Sequence, residues 1–174
     1  MKIELAKLDA SNGKFAHAYA SGELELNDAR VTLVEPPNIS GRISREARKI
    51  RVEGNMHARA KVECDRCLVP IELPVDSTFK LDYVTPAEYE SIHAHELAEE
   101  DLTLSVFDGV SIDLDEIARE QVLLAVPAQT LCRTECKGLC VTCGADLNSG
   151  DCGCEVAKID PRWAGLKELV NRKQ

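Results

Sequence analysis

Aromatic side chains are scarce in this chain: one Trp, three Tyr and three Phe make up 4% of 174 residues. The hydrophobic content of 44% is therefore mostly aliphatic, and a core has to be packed from Val, Ile, Leu and Ala. No apolar run approaches the roughly 18 residues of a membrane span. The N-terminus, Met1-Lys2-Ile3-Glu4-Leu5, is charged and lacks the apolar segment of a secretory signal. A glycine-rich phosphate loop is missing, and so is any nucleophile–base constellation; His17 and His57 are isolated. These absences lead us to expect a cytoplasmic, soluble, non-enzymatic protein of one ordinary domain plus a small appendage.

What the chain does have is grouped cysteine. Six of its eight cysteines fall between Cys132 and Cys154, and the other two form the pair Cys64-Asp-Arg-Cys67. A tight turn carrying Cys-x-x-Cys can aim two sulfurs at one ion about 2.3 Å away. Gly144 after Cys143 supplies the residue such a turn needs where the backbone has positive φ. Cys140, Cys143, Cys152 and Cys154 make one complete four-sulfur set, a closed site of the structural zinc kind. The remaining Cys64, Cys67, Cys132 and Cys136 would make a second, joining distant parts of the chain. Two zinc ions are the expectation. Disulfides would require an oxidising compartment, and a thioredoxin-like motif would require a strand before it and a helix after it. An iron–sulfur cluster uses the same thiolates as zinc and is not separated from it by sequence.

Period-two alternation is clearest at residues 49–63, where Lys49, Arg51, Glu53, Asn55, His57, Arg59, Lys61 and Glu63 interleave with mostly apolar positions. It resumes after Cys67 through Ile71, Leu73, Val75, Phe79, Leu81 and Tyr83. This predicts a hairpin over 49–83, bulged at Gly54, with Cys64 and Cys67 at its tip. Shorter strands are expected in Met1–Ala10, Glu23–Leu26 and Val31–Glu35, with a turn at Ser11-Asn12-Gly13 and a stop at Pro36-Pro37-Asn38. Residues 86–101 read as a solvated acidic helix or loop whose His93 and His95 lie at the surface. Asp113 and Glu116 form a capping box for a helix over 113–125 that ends at Pro127. Asp160-Pro161 opens a closing helix through Asn171, with Trp163 on its apolar side. The expected class is α+β: a mainly antiparallel β-sheet domain with a few helices over residues 1–127, and a cysteine-rich zinc module with a C-terminal helix over 128–174.

Net charge is −9. Residues 1–87 balance, and the whole excess lies in residues 88–174. Within the balanced half, Arg42, Arg45, Arg48, Lys49, Arg51, Arg59 and Lys61 outnumber Glu46 and Glu53. A strand would put Lys49, Arg51, Arg59 and Lys61 on one exposed face. That makes Arg42, Arg45, Lys49, Arg51, Arg59 and Lys61 candidate RNA contacts. The competing reading is a solvated face paired across strands to Glu72, Asp76 and Asp82.

The order Cys-x-x-Cys-Leu (64–68), Leu-Ala-Val-Pro (124–127), Cys-Lys-Gly-Leu-Cys-x-x-Cys-Gly-x-Asp-Leu-Asn (136–148), Cys-x-Cys (152–154) and Asp-Pro-Arg-Trp (160–163) resembles the YceD family, the large ribosomal RNA subunit accumulation proteins. The likeness runs over roughly residues 40–172. It implies a bacterial factor for the synthesis, processing or stability of 23S ribosomal RNA, with that RNA or its precursors as partner. An acidic escort for a basic ribosomal protein is the alternative that the charge suggests. A zinc-dependent nuclease or thiol oxidoreductase is the third reading. Closed four-sulfur sites argue against that one.

Overall fold

The alternating stretch forms two long strands, β4 (Ile50–Glu63) and β5 (Pro70–Val84), paired antiparallel without a break from Ile50 opposite Tyr83 to Glu63 opposite Pro70. The computed structural model describes residues 1–7, 12–46, 48–93 and 104–155. Within them β1 (Lys2–Glu4), β2 (Asn12–Ala18), β3 (Thr32–Arg45), β6 (Leu104–Val106) and β7 (Ser111–Asp113) complete the strands. Five of these make one sheet in the order β2-β3-β4-β5-β6, and β1 pairs with β7 beside it. The sheet is antiparallel except for β6, which runs parallel to β5. The α+β reading is the observed class.

One face of the sheet is apolar and covered. Ile39, Ile43, Val52, Met56, Ala60 and Val75 are buried there, and α2 (Leu114–Ala125) adds Leu114, Ile117, Ala118 and Val122 to the same core. These helical positions follow i, i+3, i+4 spacing, so a single stripe of α2 is buried. Gln121 is buried in the same stripe and accepts a hydrogen bond from the Ser77 hydroxyl at 2.6 Å. Asp113 caps α2 as expected, but its carboxylate takes the backbone N–H of Asp115 at 3.0 Å. The reciprocal capping box is found instead at α1 (Pro86–His93), where Thr85 and Glu88 bond each other's backbone N–H groups. Its signature is the stretch Thr85-Pro-Ala-Glu88.

The N-terminal third corrects several expectations. Asn12 and Gly13 belong to β2 and form no turn, because β2 pairs in register with β3 from Asn12 opposite Ser44. Residues 23–26 are not a strand; Leu24 and Leu26 are buried from an irregular segment. Pro36 and Pro37 do not stop β3. Register shifts between Leu33 and Glu35 and between Glu35 and Asn38 absorb two residues that cannot donate to the ladder. The bulge therefore lies in β3 and not at Gly54, which stays in register with Gly41 on one side and Phe79 on the other. His95 and the expected helix 160–171 with Trp163 lie outside the described residues.

Candidate metal centres

Two sulfur tetrads are built from the eight cysteines, all of them free. Cys64, Cys67, Cys132 and Cys136 form the first; Cys140, Cys143, Cys152 and Cys154 form the second. Within each tetrad every sulfur lies within 4.8 Å of the others. The separations Cys64–Cys136, 3.9 Å, and Cys67–Cys132, 3.6 Å, are far beyond a disulfide bond. They bracket the roughly 3.8 Å between two thiolates on one tetrahedral zinc. The residues grouped from spacing alone are thus brought together as two sets of four.

The hairpin tip owes its shape to backbone bonds. Cys64 N–H donates to the Val69 carbonyl and Leu68 N–H to the Cys64 carbonyl, each at 2.9 Å, and Leu68 adopts a φ of 60° to close the turn. The tail then docks on this tip. Asp65 N–H donates to the Thr130 carbonyl at 2.9 Å, and Thr130 N–H returns a bond to the Asp65 carboxylate at 2.6 Å. Leu139 N–H donates to the Arg66 carbonyl at 3.0 Å, and the Arg66 guanidinium reaches the Cys136 carbonyl at 2.8 Å. Gly138 sits between these contacts with φ 77°, and a Cβ there would stand 2.9 Å from the Arg66 carbonyl oxygen. Only glycine fits both the conformation and the approach.

Cys64 and Cys136 are essentially inaccessible, while Cys143 and Cys132 are exposed. Burial pushes the Cys64 thiol up, but the backbone N–H groups of Arg66, Cys132 and Cys67 overcome it and bring it down to about 6. In the second tetrad the N–H groups of Cys143 and Thr142 hold Cys140 at about 6. Burial and the sulfurs of Cys67, Cys136 and Cys64 push Cys132 up to about 12. Contact with the sulfurs of Cys143 and Cys152 does the same to Cys154. In each tetrad backbone N–H groups favour ionisation of some sulfurs while crowding by the other sulfurs opposes ionisation of the rest. A divalent cation is what allows four such sulfurs to ionise together.

The two tetrads touch through Asn148. Its amide accepts from Lys137 N–H at 2.9 Å and donates to Asp146 at 2.7 Å and to the Cys136 sulfur at 3.5 Å. Leu147 N–H bonds the Gly138 carbonyl at 2.9 Å. The loop between Cys143 and Cys152 therefore supports a sulfur of the other tetrad. Such outer contacts orient metal ligands.

The structure separates the six candidate RNA contacts. Lys49 and Arg51 are not a free exposed pair: both bond Asp82, at 2.7 and 2.8 Å, and Arg51 also meets Glu46 at 2.5 Å. Arg59 lies near Glu35 and Glu72, at 3.5 and 3.9 Å. His57 is likewise paired, with Asp76 at 2.7 Å. Cross-strand pairing is what the alternation encoded, because opposed positions on one sheet face meet. Arg42, Arg45 and Lys61 remain exposed. Asp82 is well covered, its side chain 12% exposed, and Arg51 and Lys49 hold its carboxyl below the usual carboxylate range. A depressed pKa stabilises the fold above the ordinary value and ceases to do so as pH falls through the depressed one. Asp82→Asn is expected to cost about 1.5–3 kcal/mol at pH 7. Urea midpoints measured from pH 7 downward should show a constant gap to wild type that closes below about pH 4. A variant matching wild type at pH 7 would contradict the argument.

Comparison with known proteins bears on this arrangement directly. The model of a family described as "Large ribosomal RNA subunit accumulation protein YceD" matches residues 52–170, which takes in β4 from Val52 onward, β5, α2 and all eight cysteines. The chain belongs to the YceD family. Protein Rv2926c of Mycobacterium tuberculosis, described as uncharacterized, is 33% identical over 129 residues, 74% of this chain and 59% of that protein. YlbN of Bacillus subtilis, also described as uncharacterized, is 21% identical over 170 residues, covering 97% of this chain and 94% of its own. The chloroplastic YCED homolog 1 of Arabidopsis thaliana, named a large ribosomal RNA subunit accumulation protein, is 24% identical over 160 residues, covering 80% of this chain and 50% of its own. The chain spans 59% of the length of its mycobacterial relatives. No solved structure matches. Among the described residues no helix is long and apolar enough to cross a membrane.

Proposed function

We propose that this YceD-family chain is a non-enzymatic, cytoplasmic ribosome biogenesis factor that supports accumulation of 23S ribosomal RNA through direct contact with that RNA or its precursors. Two structural zinc ions complete its fold. The observation that carries this reading is the pair of four-sulfur tetrads, one of which ties residues 130–139 to the tip of the long hairpin within a family named for large-subunit RNA accumulation. Four thiolates fill a tetrahedral zinc and leave no position for water or substrate, so the metal serves the fold and not a reaction. The protein supplies a rigid sheet with one face packed and the other open, and RNA is engaged by surface complementarity. Ultraviolet crosslinking in growing cells, followed by sequencing of the attached RNA, tests the reading. Large-subunit sequences should be recovered well above small-subunit ones, from protein carrying two zinc ions per chain. Equal recovery of the two, or no RNA on zinc-loaded protein, would overturn it.

A further inference from the structure

The open face of the sheet carries a groove of about 560 Å³ lined by Lys14, Arg42, Glu53, Asn55, Thr78 and Lys80, with the backbone of Gly41 and Gly54 as part of its wall. Strand register explains the grouping. Lys14 stands opposite Arg42, Arg42 opposite Glu53, and Glu53 opposite Lys80, so the four form one row across β2, β3, β4 and β5. At about 4.8 Å per strand the row is roughly 14 Å long. The next row contains Ala16, Ser40, Asn55 and Thr78, small or uncharged side chains that leave the charged row accessible.

Most other cations of this face are committed, and the exception, Lys61, stands eight residues along β4 from Glu53, outside the groove. Lys49 and Arg51 are taken by Asp82, and Arg59 sits between Glu35 and Glu72. Lys80 reaches Glu53 only at 4.0 Å. Lys14 and Arg42 have no carboxylate within ion-pair distance among the described residues. The groove therefore concentrates a local charge of +2 on a chain whose net charge is −9. A polyanion is repelled by most of such a surface and admitted here.

We infer that this groove binds the phosphodiester backbone of RNA, Lys14, Arg42 and Lys80 each contacting phosphate, with the Asn55 amide and Thr78 hydroxyl beside them as partners for ribose hydroxyls. No aromatic ring is presented for stacking, since the one aromatic residue in the groove, Phe79, is buried. The contact reads backbone and not base sequence. This inference rests on the direct RNA contact proposed above and gives it a place on the molecule.

The test measures retention of transcribed 23S ribosomal RNA fragments by the full chain across a salt series. In the triple variant Lys14→Gln/Arg42→Gln/Lys80→Gln the salt slope should fall by about 2, the loss of three phosphate contacts to a single strand. Glu53→Gln, which removes the one anion in the row, should tighten binding. Arg59→Gln/Lys61→Gln lowers charge elsewhere on the face and should leave the slope near wild type. Zinc content and circular dichroism establish that each variant is folded. A triple variant with wild-type slope, or an Arg59→Gln/Lys61→Gln variant that loses as much per charge, would overturn the groove while leaving RNA contact standing. Wild-type protein that retains no RNA removes both readings. Retention of polyglutamate equal to that of RNA, lost in the triple variant, would reassign the groove to acidic protein.

Discussion

Replacing Cys64 with serine is expected to release one of two metal ions, detach residues 130–139 from the hairpin tip and lower the melting temperature by about 10 °C or more. Cys64 is inaccessible to solvent and accepts the Cys132 N–H at 3.4 Å, so its sulfur anchors the docked segment and is placed to serve as a ligand. Serine keeps a hydroxyl that stays protonated at neutral pH, which leaves three thiolates and a buried polar group without its ion. Structural zinc in small peptides contributes about 10–16 kcal/mol, as much as the whole stability of an ordinary domain at about 5–15 kcal/mol. The first tetrad also closes the loop from Cys67 to Cys132, so an ion held there would restrain the unfolded chain as well as the folded one. For a chain of this size each kcal/mol corresponds to about 2–4 °C, and the loss of even part of that binding energy reaches the stated shift.

The second tetrad should survive the change. Cys140, Cys143, Cys152 and Cys154 lie within 15 residues of one another and are held by local bonds, Gly144 N–H to the Cys140 carbonyl and Cys140 N–H to the Ala145 carbonyl, each 2.8 Å. Elemental analysis should fall from two ions to one per chain. Mapping by alkylation should find Cys67, Cys132 and Cys136 reactive and the second tetrad protected. Retention of two ions in Cys64→Ser would sink the shared site. Loss of both would show that the tetrads form one unit, a result that Asn148, bridging Lys137, Asp146 and the Cys136 sulfur, would then explain.

The hairpin and both tetrads were legible because their signals are local or arithmetical. Alternation over residues 49–63 fixes which side chains face the core, and a cysteine count of eight divides into one local set of four and one remainder. What escaped the sequence depends on partners distant in the chain. Pro36 and Pro37 read as a stop, yet β4 lies beside β3 for its whole length, and shifting the register costs less than abandoning that pairing. For Lys49 and Arg51 the alternation left two readings, RNA contact or pairing across strands, and Asp82, 33 and 31 residues away, is the partner that the register delivers. Lys14 and Lys80 are single charges 66 residues apart in the sequence. Only the five-stranded order sets them in one row with Arg42.

Gly41→Ala is expected to destabilise the protein by about 3 kcal/mol, a fall of roughly 6–12 °C in melting temperature, without loss of metal. Gly41 and Gly54 face each other at the centre of the sheet, with Phe15 opposite Gly41 and Phe79 opposite Gly54. A Cβ on Gly41 would stand 2.1 Å from the Glu53 carbonyl oxygen, 2.8 Å from the Gly54 Cα and 2.7 Å from the Phe15 ring. The ring could turn aside, but two of these neighbours are backbone of β4, so relief requires separating paired strands. Phe15 and Phe79 are both buried, and their rings occupy the space that two Cβ atoms would need. Gly54→Ala meets the Ser40 carbonyl at 2.5 Å and the Phe79 ring at 2.7 Å and should cost a similar amount. Because either substitution pushes the same two strands apart, the double variant should lose less than the sum of the singles. Thermal melts of the three variants, with metal content measured alongside, decide the matter. A Gly41→Ala protein melting within about 1 °C of wild type would show that the strands part freely here, and full additivity would show that each glycine relieves a separate clash.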